Sequence, residues 1–141
     1  SSSLKPIKAK ANIYPSMPDE YPILAVIASL TEGKHTFRGI SGLFEKESSR
    51  AYEMKKILQQ IGVKCKLNKD KMVIFGLKKI KKNNLEIKVK SLLDHRIYMS
   101  AMCLSLLTGI KCYLKNFQTV DTSAPSFLKI TKKLGGRFEI R

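Results

Sequence analysis

Apolar and polar positions along the chain follow two rhythms. Runs with apolar residues at three- and four-residue intervals, the spacing of a helix face, cover 19–32, 48–61, 95–108 and 124–134. Segments that alternate apolar and charged residues, as half-buried strands do, cover 34–40, 63–67, 71–77, 85–91, 110–117 and 136–141, with a less defined strand near 4–10. The first helix, through Ile23-Leu24-Ala25-Val26-Ile27-Ala28-Ser29-Leu30, is apolar on nearly every face. The third, from Ile97 to Leu107, is broken only by Ser100 and Ser105. Helices apolar all round are buried. The second carries Arg50, Glu53, Lys55 and Lys56 and is amphipathic. Gly33, Gly62, Gly109 and Gly135 fall where the helices should stop, as C-terminal caps do. Pro22 and Pro125 fall in first turns, where no backbone N–H is needed. The pattern predicts an α/β (α+β) fold with helices inside and sheets outside, their lysine faces in water. His35 reads as a surface residue of its strand.

The rhythm repeats. Ile57-Leu58-Gln59-Gln60-Ile61-Gly62-Val63-Lys64-Cys65-Lys66-Leu67 and Ile130-Thr131-Lys132-Lys133-Leu134-Gly135-Gly136-Arg137-Phe138-Glu139-Ile140 both join a helix end to an alternating strand through glycine, 73 positions apart. Asp19 and Asp94 open matching stretches 75 apart. That period is too long for a solenoid unit and fits two βαβα units with further strands.

With 141 residues the chain fits one domain or part of a larger one and can bury a real core. No apolar run reaches the ~20 residues of a membrane span, and Ser1-Ser2-Ser3-Leu4-Lys5 lacks the apolar centre of a signal peptide. Cys65, Cys103 and Cys112 are scattered, without metal spacing, and read as free or buried thiols of a reducing, cytoplasmic compartment. No metal and no cofactor are expected. The net charge of +16 raises the question of polyanionic partners. The lysines alternate with apolar residues in Val63-Lys64-Cys65-Lys66-Leu67 and Ile87-Lys88-Val89-Lys90, without tryptophan and without aromatic interleaving. That reads as solvated strand faces and argues against nucleic acid as a partner.

Four polar clusters precede the helices: Pro18-Asp19-Glu20, Lys46-Glu47-Ser48-Ser49-Arg50, Asp94-His95-Arg96 and Thr122-Ser123-Ala124-Pro125. Helix N-termini present unpaired N–H groups that favour anions. Here they also carry cations and carboxylates, the residues needed to hold phosphates and move protons. Taken singly, Asp19 and Asp94 read as helix N-caps, and Glu47 with Arg50 as an i,i+3 ion pair.

Together the clusters carry a resemblance. Met17-Pro18-Asp19-Glu20-Tyr21-Pro22-Ile23-Leu24-Ala25, Lys46-Glu47-Ser48-Ser49-Arg50, Leu93-Asp94-His95-Arg96-Ile97 and Thr122-Ser123-Ala124-Pro125-Ser126-Phe127 resemble, in order and at plausible spacings, motifs of the 5-enolpyruvylshikimate-3-phosphate synthases. The resemblance covers nearly the whole chain and is to the C-terminal domain of that family. It implies repeated βαβαββ units with buried helices and outer sheets, part of an inside-out barrel. Unit one would span about 4–77 and unit two about 85–141 of a single fragment, 1–141, that lacks the N-terminal domain.

The resemblance implies a shikimate-pathway transferase of aromatic amino-acid biosynthesis. It moves the enolpyruvyl group of phosphoenolpyruvate to the 5-hydroxyl of shikimate 3-phosphate and releases phosphate. Its partners are those two substrates and the N-terminal domain of the same enzyme, without which the fragment is expected to be inactive. By the same resemblance Asp19 contacts the shikimate hydroxyls and serves as base, and Glu47 protonates the methylene carbon. Arg50 and Arg96 clamp phosphoenolpyruvate through bidentate guanidinium contacts, and Lys46 and His95 complete the substrate shell. Asp94 orients the cluster or caps the third helix. Thr122 stands where some members carry lysine and receives no catalytic role. Ala124 replaces the usual phenylalanine. The alternatives are a related enolpyruvyl transferase acting on a nucleotide sugar, or a basic nucleic-acid-binding module.

Overall fold

A computed structural model describes residues 4–81, 84–90, 93–115 and 118–137. The elements run β1 (Lys8–Ala9), α1 (Tyr21–Ser29), β2 (Gly33–Arg38), α2 (Arg50–Gln60), β3 (Lys64–Leu67), β4 (Lys71–Gly76), β5 (Glu86–Val89), α3 (His95–Thr108), β6 (Lys111–Leu114), α4 (Gln118–Ser123) and α5 (Phe127–Lys133). Short 3-10 turns at Ala11–Ser16, Pro18–Glu20 and Ser41–Phe44 link them. The fold is mixed α/β. A four-stranded sheet has the order β1-β2-β4-β3, with β1 parallel to β2 and the other pairs antiparallel. β5 and β6 form a parallel pair. α1 packs on α2, α3 and β4, and α2 also lies against β3 and β5.

Local chemistry accounts for the boundaries. α3 starts where Asp94 accepts hydrogen bonds from the Arg96 N–H (3.1 Å) and the Ile97 N–H (3.4 Å), the N-cap arrangement. It stops at Gly109, left-handed with φ 69°, whose N–H donates to the Ser105 carbonyl. Pro22 lies in the first turn of α1, as expected. Gly33 is not a cap; it opens β2. The helix expected over 124–134 is the shorter α5, Phe127–Lys133, and α4 (Gln118–Ser123) precedes it where no helix was expected; Ala124-Pro125-Ser126 separates the two. Pro125 therefore marks a break, where its missing N–H and its effect on the preceding residue disfavour helix. Of the strand expected over 136–141, Gly136 and Arg137 lie outside any strand, and 138–141 lie outside the described residues.

The core is continuous. Val26 and Ala28 of α1, Met54, Ile57 and Leu58 of α2, and Ile97, Ala101 and Leu104 of α3 are buried together with Phe37, Ile74 and Ile87 from the sheets. Each of the larger side chains, those of Val, Leu, Ile, Met and Phe, contributes about 1.5–3 kcal/mol. The two apolar helices are not buried all round, however. Ile27 of α1 and Leu107 of α3 are exposed.

Gln60, the last residue of α2, joins the layers. Its amide accepts from the Lys88 N–H (2.6 Å) and donates to the Lys88 carbonyl (3.1 Å), standing in for a strand partner of β5.

His35 corrects the surface reading. It is fully buried, on the same face of β2 as Phe37. Its Nδ1 accepts the Ile7 N–H at 3.0 Å, and its Nε2 lies 2.7 Å from the Thr31 carbonyl. The acceptor at Nδ1 assigns the proton to Nε2. Period-two alternation with Phe37 was the available signal, masked by Lys34 and Thr36 on either side.

Gly76 ends β4 against the turn after α1. A β-carbon there would collide with the carbonyl oxygens of Ala28 and Thr31. Both obstacles are backbone, so relief requires moving α1. Gly76→Ala is expected to lose about 3 kcal/mol, read as a lower urea midpoint at unchanged slope; an unchanged midpoint would remove the close approach.

Candidate active site

Three element starts converge on one ion cluster. The Pro18–Glu20 turn leading into α1 carries Asp19, the approach to α2 carries Lys46, Glu47 and Ser48, and the start of α3 carries Asp94 and Arg96. Arg50, first residue of α2, sits at the centre with its side chain only 2% exposed. Its Nε donates to Asp94 Oδ2 at 2.9 Å, Nη1 to Asp19 Oδ1 at 2.7 Å and Nη2 to Glu47 Oε2 at 2.6 Å. One planar guanidinium thereby gathers three carboxylates from three elements, a use of its fork that lysine cannot reproduce.

The three carboxylates differ. Asp94 is fully buried, and besides Arg50 it receives the Ser48 hydroxyl at 2.8 Å and the α3 backbone N–H groups. It both orients Arg50 and caps α3. Asp19 and Glu47 face outward, with side chains 42% and 50% exposed. Lys46 Nζ is 3.7 Å and Arg96 Nη2 3.8 Å from Asp19, at ion-pair rather than hydrogen-bond range. His95 is half-buried at the first position of α3. Thr122 and Ser123 are the last two residues of α4.

The electrostatics follow the contacts. The hydrogen bond from Arg50 holds the Asp19 carboxyl below its ordinary 3.8; partial burial opposes this, and the charges of Arg50, Lys46 and Arg96 add to it. Burial opposes the charge on Arg50, but the bonds to Asp94 and Asp19 outweigh it and raise its pKa. Burial raises Tyr14, whose ring packs edge-on against Tyr21 at 5.3 Å. Two buried polar atoms have no hydrogen-bond partner among the described residues, Tyr21 Oη and Arg96 Nε. Buried polar groups are normally paired, so Arg96 offers an unused donor within the cluster. Among the described residues no group of three or more His, Cys, Asp or Glu could hold a metal. No described helix is long and apolar enough to cross a membrane. Cys65 and Cys112, outside the cluster, are pushed up by burial to about 11 and about 12.

Because the folded-state pKa of Asp19 is depressed, its stabilising contribution is complete above the ordinary value and is lost as pH falls through the folded value. Carboxyl NMR titration is expected to place Asp19 below 3.8. Arg50→Lys is expected to move it upward, since lysine offers no paired planar donors. Titration at the ordinary value in both forms would break the assigned contact.

Asp19, Lys46, Glu47, Arg50 and Arg96 are thus brought together by direct contacts, with His95 adjacent in the chain to Asp94 and Arg96. In the sequence Ser48 stands out only as a member of the Lys46–Arg50 cluster. Nothing in the sequence signalled that its hydroxyl reaches Asp94, 46 positions away.

The family model for EPSP synthase (3-phosphoshikimate 1-carboxyvinyltransferase) matches residues 2–130. The 3-phosphoshikimate 1-carboxyvinyltransferase of Clostridium tetani is 36% identical over 94% of the chain, and that of Paramagnetospirillum magneticum 35% identical over 97%. In both cases the chain spans 30% of the relative's length. Two structures of EPSP synthase from Acinetobacter baumannii superpose with TM-scores of 0.76 and 0.77, at 29% and 27% identity. They cover 94% and 99% of this chain, which in turn spans 30% and 31% of theirs.

Proposed function

Because the chain belongs to the EPSP synthase family, we propose that it supplies one wall of a transferase that moves the enolpyruvyl group of phosphoenolpyruvate to the 5-hydroxyl of shikimate 3-phosphate. The observation that carries this reading is the convergence of Asp19, Lys46, Glu47, Arg50 and Arg96 on one spot. Their chemistry matches the demands of the reaction. The attacking hydroxyl must lose a proton, the methylene carbon must gain one, and a carboxylate and two phosphates must be held.

In this reading Asp19 accepts the proton of the 5-hydroxyl as its oxygen bonds to C2 of phosphoenolpyruvate. Glu47 delivers a proton to C3. The tetrahedral centre then collapses: its C2–O bond to phosphate breaks, Glu47, now a carboxylate, takes a proton back from the C3 methyl, and the C2–C3 double bond of the vinyl group re-forms as phosphate leaves. Arg96, with its unpaired Nε, and Lys46 hold substrate anions, and His95 lines the same shell. Arg50 is nearly inaccessible while Glu47 is bonded to it. The substrate carboxylate replaces Glu47 on Nη2, which completes the clamp and frees Glu47 for proton transfer in one exchange.

Two repeated units belong to the same proposal. β1-α1-β2 and β5-α3-β6 are both parallel βαβ units. The first continues through α2, β3 and β4 as βαβαββ. Helices α1 and α3 pack together between the two sheets, in keeping with an inside-out arrangement completed by the rest of a longer protein.

Phosphate release from the two substrates tests the reading, with the chain alone and with the complementary part of the Clostridium tetani relative. Release only in the combination is expected. Its absence when both parts are folded and associated would sink the transferase reading. Competition between shikimate 3-phosphate and a nucleotide sugar separates it from the related transferase.

A further inference from the structure

Sheet register gathers cations that the sequence scatters. Lys34 and Lys64 oppose Phe75 from its two sides, Thr36 and Lys66 oppose Val73, Arg38 opposes Lys71, and Lys8 is the parallel partner of Thr36. Directly opposed residues share a sheet face. His35, Phe37, Cys65, Met72 and Ile74 are buried on the inner face. The outer face thus carries Lys8, Lys34, Arg38, Lys64, Lys66 and Lys71 around Thr36, Val73 and Phe75. The four strands contain no carboxylate; Glu32 and Asp70 stand just beyond strand ends. Among the described residues none of these six cations joins an ion pair. Strands lie about 4.8 Å apart and alternate residues about 6.7 Å apart, so neighbouring charges sit within about one Debye length of each other.

This face also has relief. Lys34, Lys66, Asn68, Lys71, Val73 and Phe75 line an open groove of about 340 Å³. The Phe75 ring is half-buried in it, with Lys64 Nζ 5.7 Å from its centroid. The aromatic interleaving missing from the linear sequence is therefore present across the strands, in the row Lys34–Phe75–Lys64.

We propose that the outer face of the four-stranded sheet docks single-stranded nucleic acid, its phosphates on the lysine rows and a base on Phe75. A cationic groove with an aromatic floor is the arrangement that binds single strands without sequence preference. A bilayer surface fits less well, because binding there needs apolar side chains that reach past the charges, and Phe75 and Val73 form the floor instead. The proposal is independent of the transferase reading. None of the proposed substrate residues belongs to this face.

Fluorescence anisotropy of a labelled oligothymidylate of about 20 nucleotides tests it. With log K falling by about 0.7 per phosphate contact for each tenfold rise in salt and roughly five contacts, raising salt from about 50 to 200 mM is expected to weaken binding about a hundredfold. At fixed salt Lys34→Glu/Lys66→Glu is expected to lose at least about tenfold. Phe75→Leu, which keeps an apolar side chain over the groove, is expected to lose about tenfold. Lys129→Glu/Lys132→Glu on α5 makes the same charge change off the sheet and is expected to stay within about twofold, with circular dichroism confirming each fold. Lack of binding at low salt overturns the proposal. So does equal weakening by the α5 pair, which would make net charge the cause. An unaffected Phe75→Leu, or a polyglutamate peptide binding as tightly as the oligonucleotide, also overturns it, the last pointing to an acidic protein segment.

Discussion

Glu47→Gln, in the enzyme completed from this chain and its complementary part, is expected to lower kcat by about 10²–10⁴ while leaving the KM for phosphoenolpyruvate within a few-fold. The substitution keeps the shape of the side chain and an oxygen that can accept from Arg50 Nη2, now 2.6 Å from Glu47 Oε2. It removes the transferable proton and one negative charge. With the side chain half exposed, packing changes little, and the loss falls on the step that protonates the methylene carbon. Single-turnover phosphate release separates this from slow product release. Unchanged turnover would take Glu47 out of the role of acid. A parallel rise in KM with unchanged kcat would make it a binding group. Asp19→Asn is the companion measurement: if both residues handle protons, each single variant is slow and the double variant is little slower, because groups acting as a unit are not additive.

The second large effect is on folding. Arg50→Met is expected to cost about 3–5 kcal/mol, because it strands a buried carboxylate. Asp94 has no exposure at all and would keep only the Ser48 hydroxyl and the α3 N–H groups. Asp19 and Glu47 are open enough to turn to water, so they add little. Urea denaturation should show a lower midpoint at unchanged slope. The double variant Arg50→Met/Asp94→Asn should recover part of the loss, since the uncompensated charge is gone. A single variant as stable as the parent chain would mean that Asp94 is not ionised against Arg50. Failure of the second substitution to rescue would place the cost in packing rather than charge.

Much of the secondary structure was legible because it is set by near neighbours. The boundaries of α3 match the expected 95–108, since Asp94 and Gly109 carry the cap chemistry within a few residues of each end. Pro22 was placed correctly for the same reason. α4 was missed because Gln118-Thr119-Val120-Asp121-Thr122-Ser123 is short and offers a single apolar residue, Val120, too few to set a helical period, and Pro125, expected in a first turn, stands ahead of α5 instead. His35 was misplaced because a polar residue flanked by Lys34 and Thr36 looks solvated. Only the pairing of its two ring nitrogens with Ile7 and Thr31 offsets its burial, and Ile7 lies 28 positions away.

The candidate site divides in the same way. Sequence motifs grouped Asp19, Lys46, Glu47, Arg50, His95 and Arg96 as candidates through residue type and order, and ion-pair contacts join five of them, all but His95. The motifs did not reveal the hierarchy within the set. That Arg50 is the buried hub, Asp94 its fully buried anchor, and Asp19 and Glu47 the outward, displaceable partners depends on contacts that span 31 and 44 positions.

By itself, then, the sequence determined most of the elements in their order, the family and the candidate residues, all of which rest on local spacing and side-chain identity. Tertiary structure alone decided which charges are buried, which carboxylates share Arg50, and that six dispersed cations form one face around Phe75. Burial, dielectric and cross-strand register arise between segments distant in the chain, so no local pattern encodes them.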